Sequence, residues 1–78
     1  MDTIITKRMQ PTDTRGLRIK ATHTNGKSKT IGYPFDQYEV SAHRIAAEAL
    51  ADQLHLRYDR MVAGQLHNGD FVFILEDV

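Results

Sequence analysis

The run Leu17-Arg18-Ile19-Lys20-Ala21-Thr22-His23-Thr24, followed by Asn25-Gly26, leaves this chain few folds to choose from. Strict apolar/polar alternation is the period of a strand with one buried face. Leu17, Ile19 and Ala21 take one face, and Arg18, Lys20 and Thr22 the other. Asn-Gly then supplies a tight turn, with Gly26 free to adopt positive φ. A two-residue loop would pair Thr24 with Lys27 and send Ile31 and Tyr33 to the Arg18/Lys20 face. A three-residue loop with Gly26 as bulge residue pairs His23 with Lys27 and sets Ile31 beside Ile19 and Tyr33 beside Leu17. The second register gathers the apolar side chains and is the one expected. Arg18 and Lys20 then share their face with Ser28, Thr30 and Gly32.

Residues 3–9 read as a strand before this hairpin, and Gln10–Gly16 as a loop. A helix is expected from Asp36 as N-cap, with Glu39 completing a capping box and Phe35 and Val40 in the staple positions. Ala42, Ile45, Ala46, Ala49, Leu50 and Leu54 form its core stripe, with His43, Ala47, Ala51 and Asp52 away from it. The helix should end near His55. Met61–Leu66 and Phe71–Leu75, joined by His67-Asn68-Gly69-Asp70, read as a second hairpin. Five consecutive apolar residues in the last strand call for cover on both faces, and one helix covers only one. The expected fold is α+β, in the order β-β-β-α-β-β: four or five antiparallel strands with one helix packed on one face. Seventy-eight residues suffice for a single small domain, 1–78.

Charge is sorted along the chain although the total is zero. Residues 1–33 carry seven Lys and Arg against Asp2 and Asp13, a balance of +5, and residues 34–78 a balance of −5. A surface of one sign concentrates ligands of the other. There is no cysteine, so disulfides and thiolate metal sites are excluded. No apolar run is long enough to cross a bilayer, and the start of the chain lacks a signal-peptide core. The expectation is a cytoplasmic protein.

The best candidate site is the basic set Arg15, Arg18, Lys20, Lys27 and Lys29, with Lys7 and Arg8 nearby. Several cations so placed suit an acidic protein surface or the phosphates of a nucleic acid, and otherwise serve as a solvated face that discourages edge pairing. No aromatic is interleaved to stack bases, and no helix-turn-helix or zinc-finger pattern is present. Pro11-Thr12-Asp13-Thr14-Arg15-Gly16 has anion-binding residue types, but no helix follows, so a plain turn stabilised by Asp13 is expected. His43, His55 and His67 stand twelve apart, without the i, i+4 spacing of helical ligands; no metal site is expected. Glu39 and His43 are one helical turn apart, a spacing that could serve acid–base chemistry but on an exposed face gives a weak contact. Tyr33, Phe35 and Tyr38 should anchor the strand-to-helix junction, with Tyr38 the alternative surface hot spot. No catalytic set or cofactor motif emerges, so a non-enzymatic protein is expected.

Ile5-Thr6-Lys7 with Pro11-Thr12-Asp13-Thr14-Arg15-Gly16-Leu17-Arg18-Ile19-Lys20-Ala21 resembles a group of small phage, plasmid and integrated-element proteins of proteobacteria. A helix like Ala46–Ala51 and a closing strand like Gly69-Asp70-Phe71-Val72-Phe73 belong to the same resemblance, while Arg8 stands where an aromatic is usual. It implies a genomic setting and carries no site residues. Small mobile-element proteins of this size often block host defence, anti-CRISPR proteins among them. The leading expectation is therefore a module that binds a host protein, an inhibitor of a defence complex acting through its basic face. The alternatives are a nucleic-acid-binding accessory protein using that face, or a homodimer burying the apolar closing strand.

Overall fold

The computed structural model describes residues 2–77. Its elements are β1 (Asp2–Met9), β2 (Arg18–His23), β3 (Ser28–Gly32), α1 (Glu39–Gln53), β4 (Arg60–Gln65) and β5 (Phe71–Glu76). The strands form one antiparallel sheet in the order β3-β2-β1-β5-β4, and α1 lies across one face. This is the expected α+β architecture, with all five strands present. The first strand occupies the middle of the sheet, between β2 and β5.

The bulged hairpin register is the one adopted. Ile19 pairs with Ile31, and Tyr33 N–H donates to the Leu17 carbonyl at 3.0 Å. His23 N–H donates to the Lys27 carbonyl at 2.8 Å, and Gly26 holds φ +93°. Burial settles the register, because a one-residue slip would carry Ile31 to the opposite face.

Alternation on each strand divides the sheet into two faces. Ile4 and Thr6 of β1, Ile19 and Ala21 of β2, and Phe71, Phe73 and Leu75 of β5 lie buried under α1. The helix meets them with Ala42, Ala46, Ala47, Leu50 and Ala51. Four alanines let the helix backbone approach closely, and the large side chains come from the sheet. Arg44 fastens the far side, donating from Nη1 to the Met61 carbonyl at 2.8 Å with its guanidinium 5.6 Å from the Phe73 ring centroid.

The helix departs from expectation at its start. It begins at Glu39 after Tyr38, which makes no side-chain cap, and Asp36 sits in the preceding turn, where Gln37 N–H donates to the Pro34 carbonyl at 3.1 Å. Phe35 and Asp36 form the centre of this turn, ahead of the first helical residue, so the capping box and staple do not form. Phe35 and Val40 are exposed, and Tyr38 more so. Tyr33 is half-buried and its ring contacts Phe35 at 5.1 Å, so the junction is anchored by Tyr33 alone of the three aromatics.

The core stripe is also turned about the helix axis, by roughly 60° at 3.6 residues per turn. His43, Ala47 and Ala51 face the sheet, whereas Ile45 is exposed and Ala49 only half-buried. Small residues bring the helix nearer the sheet than Ile45 would permit, and His43 finds a buried partner there.

The helix end falls where expected, through a Schellman motif. His55 is left-handed (φ 56°), its N–H donates to the Asp52 carbonyl at 3.1 Å, and Leu56 N–H donates to the Ala51 carbonyl at 3.0 Å. Leu56 packs against the core beyond this turn.

Candidate functional site: the open face of the sheet

The face opposite α1 has no covering layer among the described residues. By alternation and register it carries Arg18, Lys20 and Thr22 of β2, Lys7 and Ile5 of β1, Val72 and Ile74 of β5, and Val62 of β4. Two territories result. Ile5 lies beside Val72, and Val62 beside Ile74, giving an apolar stripe across β1, β5 and β4. Ile5 and Val62 are each more than two-fifths exposed, which is high for such residues in a sheet. Beyond them stands the basic territory of β1 and β2. At the far edge Arg60 Nε donates to Glu76 Oε1 at 2.7 Å and closes the stripe with a neutral pair.

Within the basic territory, Lys7 and Lys20 are direct cross-strand partners. Like charges so placed repel, and an anion between them would relieve the repulsion. Arg18 is half-buried, and its Nε is shielded from water without a hydrogen-bond partner. A shielded donor of this kind costs free energy until an acceptor arrives. Lys7, Arg18 and Lys20 populate the open face, while Glu39, Glu48 and Asp52 project from the helix layer alongside Arg8, Lys29 and Arg44.

The five candidate residues do not form one patch. Arg18 and Lys20 belong to the open face as expected. Lys29 faces the other way: it pairs with Ala21 across β2–β3 and its Nζ donates to Gln53 Oε1 of α1 at 3.4 Å. Lys27 sits in the hairpin turn, where its N–H is held by Asn25 Oδ1 at 2.9 Å. Arg15 lies exposed in the β1–β2 loop. That loop is closed by Thr12, not Asp13: Thr12 N–H donates to the Arg15 carbonyl at 2.8 Å, and Arg15 N–H to Thr12 Oγ1 at 3.1 Å. Lys7 takes the place that Lys29 vacates. Its odd-numbered alternation with Ile5 was the available signal.

His43 is the second departure. It is 1 % exposed, with Nδ1 2.6 Å from Thr6 Oγ1 and its ring 4.6 Å from that of Phe71. Burial lowers its pKa from the ordinary 6.5, partly opposed by Glu39 and then Asp70, while Arg8 lowers it further. The Glu39/His43 spacing therefore spans exposed and buried positions, not one solvent face. The small residues Ala47 and Ala51 at i, i+4 from His43 were the available signal. His23, also buried, pairs with Asp2 Oδ1 at 2.8 Å through Nε2 and caps the start of the β1–β2 ladder.

Among the described residues no group of three His, Asp or Glu is placed to hold a metal ion, and no helix is long and apolar enough to cross a membrane. Comparison with protein families, curated proteins and solved structures gives no match to this chain.

Proposed function

We propose that this chain is a non-enzymatic protein-binding module whose open sheet face docks on an acidic, partly apolar surface of a partner protein. The observation that carries this is the pairing of two unmet demands on one face. Lys7, Lys20 and the unbonded Arg18 Nε call for negative charge, and the adjoining Ile5/Val62/Val72/Ile74 stripe calls for apolar cover. Buried apolar centre and charged flank are the two parts of an ordinary protein interface. The sequence resemblance to mobile-element proteins directs the choice of partner to a host defence complex, such as a CRISPR effector, which the module would inhibit by occupying a groove in the cytoplasm.

Capture of host-lysate proteins on the tagged chain, with and without nuclease and read by mass spectrometry, tests the reading. A defined protein retained after nuclease, and lost with Arg18→Glu/Lys20→Glu in a variant of unchanged thermal stability, supports it. Unchanged capture by that variant removes the face from consideration. The same cations would also suit phosphates, and recovery that disappears with nuclease selects a nucleic-acid partner, with log affinity falling steeply against log salt. The apolar stripe favours a third arrangement, a homodimer through this face. A monomeric mass by light scattering at high concentration rejects it.

A further inference from the structure

On the helix side of the sheet, where β1 ends, α1 begins and the β4–β5 turn folds over, lies a cavity of about 300 Å³. It borders the open face through Lys7, but its walls carry both signs of charge. Arg8 comes from β1, Glu39 from the first turn of α1, and Asp70 from the hairpin, with His43 also lining it. The volume lies at the small end of ligand pockets, suited to a molecule of a few heavy atoms.

Three features of these side chains point to a ligand. The first is the proton on His43. Thr6 is fully buried and its hydroxyl has no other acceptor among the described residues, so the hydroxyl donates to Nδ1 and the ring proton sits on Nε2. That N–H makes no bond to the protein, although the residue is 99 % buried, and the sliver of surface left to it belongs to the cavity. The N–H is therefore a donor open to the cavity, able to serve an acceptor placed there.

The second feature is that Arg8 and Glu39 line one cavity with opposite charges and do not bond each other. Neither forms an ion pair with any other described residue. The third is that part of the remaining polar wall is already engaged, while Lys7 and Gln10 line the cavity as well. Gln65 Nε2 donates to the Gly69 carbonyl at 3.3 Å, and Asn68 spans the turn, its Nδ2 donating to Asp70 Oδ2 at 3.3 Å and its Oδ1 accepting from Asp70 N–H at 3.0 Å. The groups left free are thus three donors, Lys7, Arg8 and His43 Nε2–H, the Gln10 amide, and one unpaired carboxylate, Glu39, with Asp70 beside it.

From this arrangement we infer that the cavity binds a small zwitterion of the α-amino acid class, carboxylate on Arg8 and His43, ammonium on Glu39 and Asp70. A guanidinium and an imidazole N–H give a carboxylate two charge-assisted or neutral donors in fixed positions. The acids accept from the ammonium, whose charge cancels the field that a simple anion would meet there. A lone anion would face Glu39 and Asp70, and a lone cation would face Lys7 and Arg8; only the dipolar ligand satisfies both sides.

The test uses the full chain, labelled for NMR, titrated with L-alanine, glycine, acetate and methylammonium at matched ionic strength. The expected result is a saturable shift of the His43 ring and Arg8 guanidinium signals with an amino acid, and at least about tenfold weaker binding of acetate and of methylammonium, a difference of roughly 1.4 kcal/mol. Arg8→Gln and Glu39→Gln, both at exposed positions, should each weaken amino-acid binding by a similar factor while the amide spectrum shows the fold retained. Absence of a saturable shift, acetate binding as well as L-alanine, or undiminished binding by folded Arg8→Gln would overturn the assignment.

Discussion

His55→Gly should stabilise this protein, although glycine within a helix is usually destabilising. His55 is the left-handed residue of the Schellman turn, at φ 56°, and its exposed side chain has no hydrogen bond to lose. For an L-residue the left-handed region costs roughly 1–2 kcal/mol through the clash of Cβ with the following carbonyl. Glycine removes that clash but adds conformational freedom to the unfolded chain, worth roughly 0.5–1 kcal/mol against it. The balance is a gain of roughly 0.5–1 kcal/mol, since both turn hydrogen bonds and the Leu56 contact are retained. For a chain of this size about 1 kcal/mol moves Tm by roughly 4–8 °C, so a rise of a few degrees is expected. His55→Val, with a branched Cβ in the same conformation, should fall below the native chain. Thermal melts followed by circular dichroism, with urea titrations for ΔG, give the order Gly above His above Val. Glycine at or below histidine would show that the turn is not held left-handed in solution.

Burial of His43 sets an acid dependence. Its folded pKa lies below 6.5, so the unfolded chain binds more protons as pH falls through 6.5; stability should be flat above that value and decline below it, by at most about 1.4 kcal/mol per pH unit. Urea midpoints of the native chain and His43→Gln measured between neutral and mildly acid pH check this, and parallel curves would refute it. Phe73→Ala should cost about 3–5 kcal/mol, because Phe73 is fully buried at the centre of β5 beneath Arg44; a urea midpoint near native would mean that α1 does not pack there.

The parts of the fold governed by local pattern were legible. Alternation from Leu17 onward and the Asn25-Gly26 turn determine the β2–β3 register, because only one register buries Ile31 beside Ile19. The closing strand, apolar on both sides, correctly announced an open face: Val72 and Ile74 emerge there opposite Phe71, Phe73 and Leu75. Most of what failed was decided by contacts distant in sequence. Asp36 is the exception: it has a capping residue's chemistry, yet lies inside the local 34–37 turn that precedes the helix. Ile45 is a better core residue than His43 on hydrophobicity alone, and yields because Thr6, thirty-seven residues earlier, offers the imidazole a buried hydroxyl. The basic cluster was read by proximity in sequence, whereas strand alternation divides it, sending Lys29 to Gln53 and bringing Lys7 against Lys20. The cavity beside His43 draws on β1, α1 and the last turn, so no contiguous motif could announce it.

The central place of β1 governs the order in which the fold can be completed. A chain emerging from synthesis can form the β1–β2–β3 meander early, since its pairings are local in sequence. One long side of β1 then remains an exposed row of amide donors and acceptors until residues 71–76 arrive to pair with it. During that interval the strand is open to any extended segment, including the β4–β5 hairpin of a neighbouring chain synthesised on the same message. Crowded expression should therefore favour hairpin exchange between nascent copies, and slow dilution after release should favour the self-closed monomer.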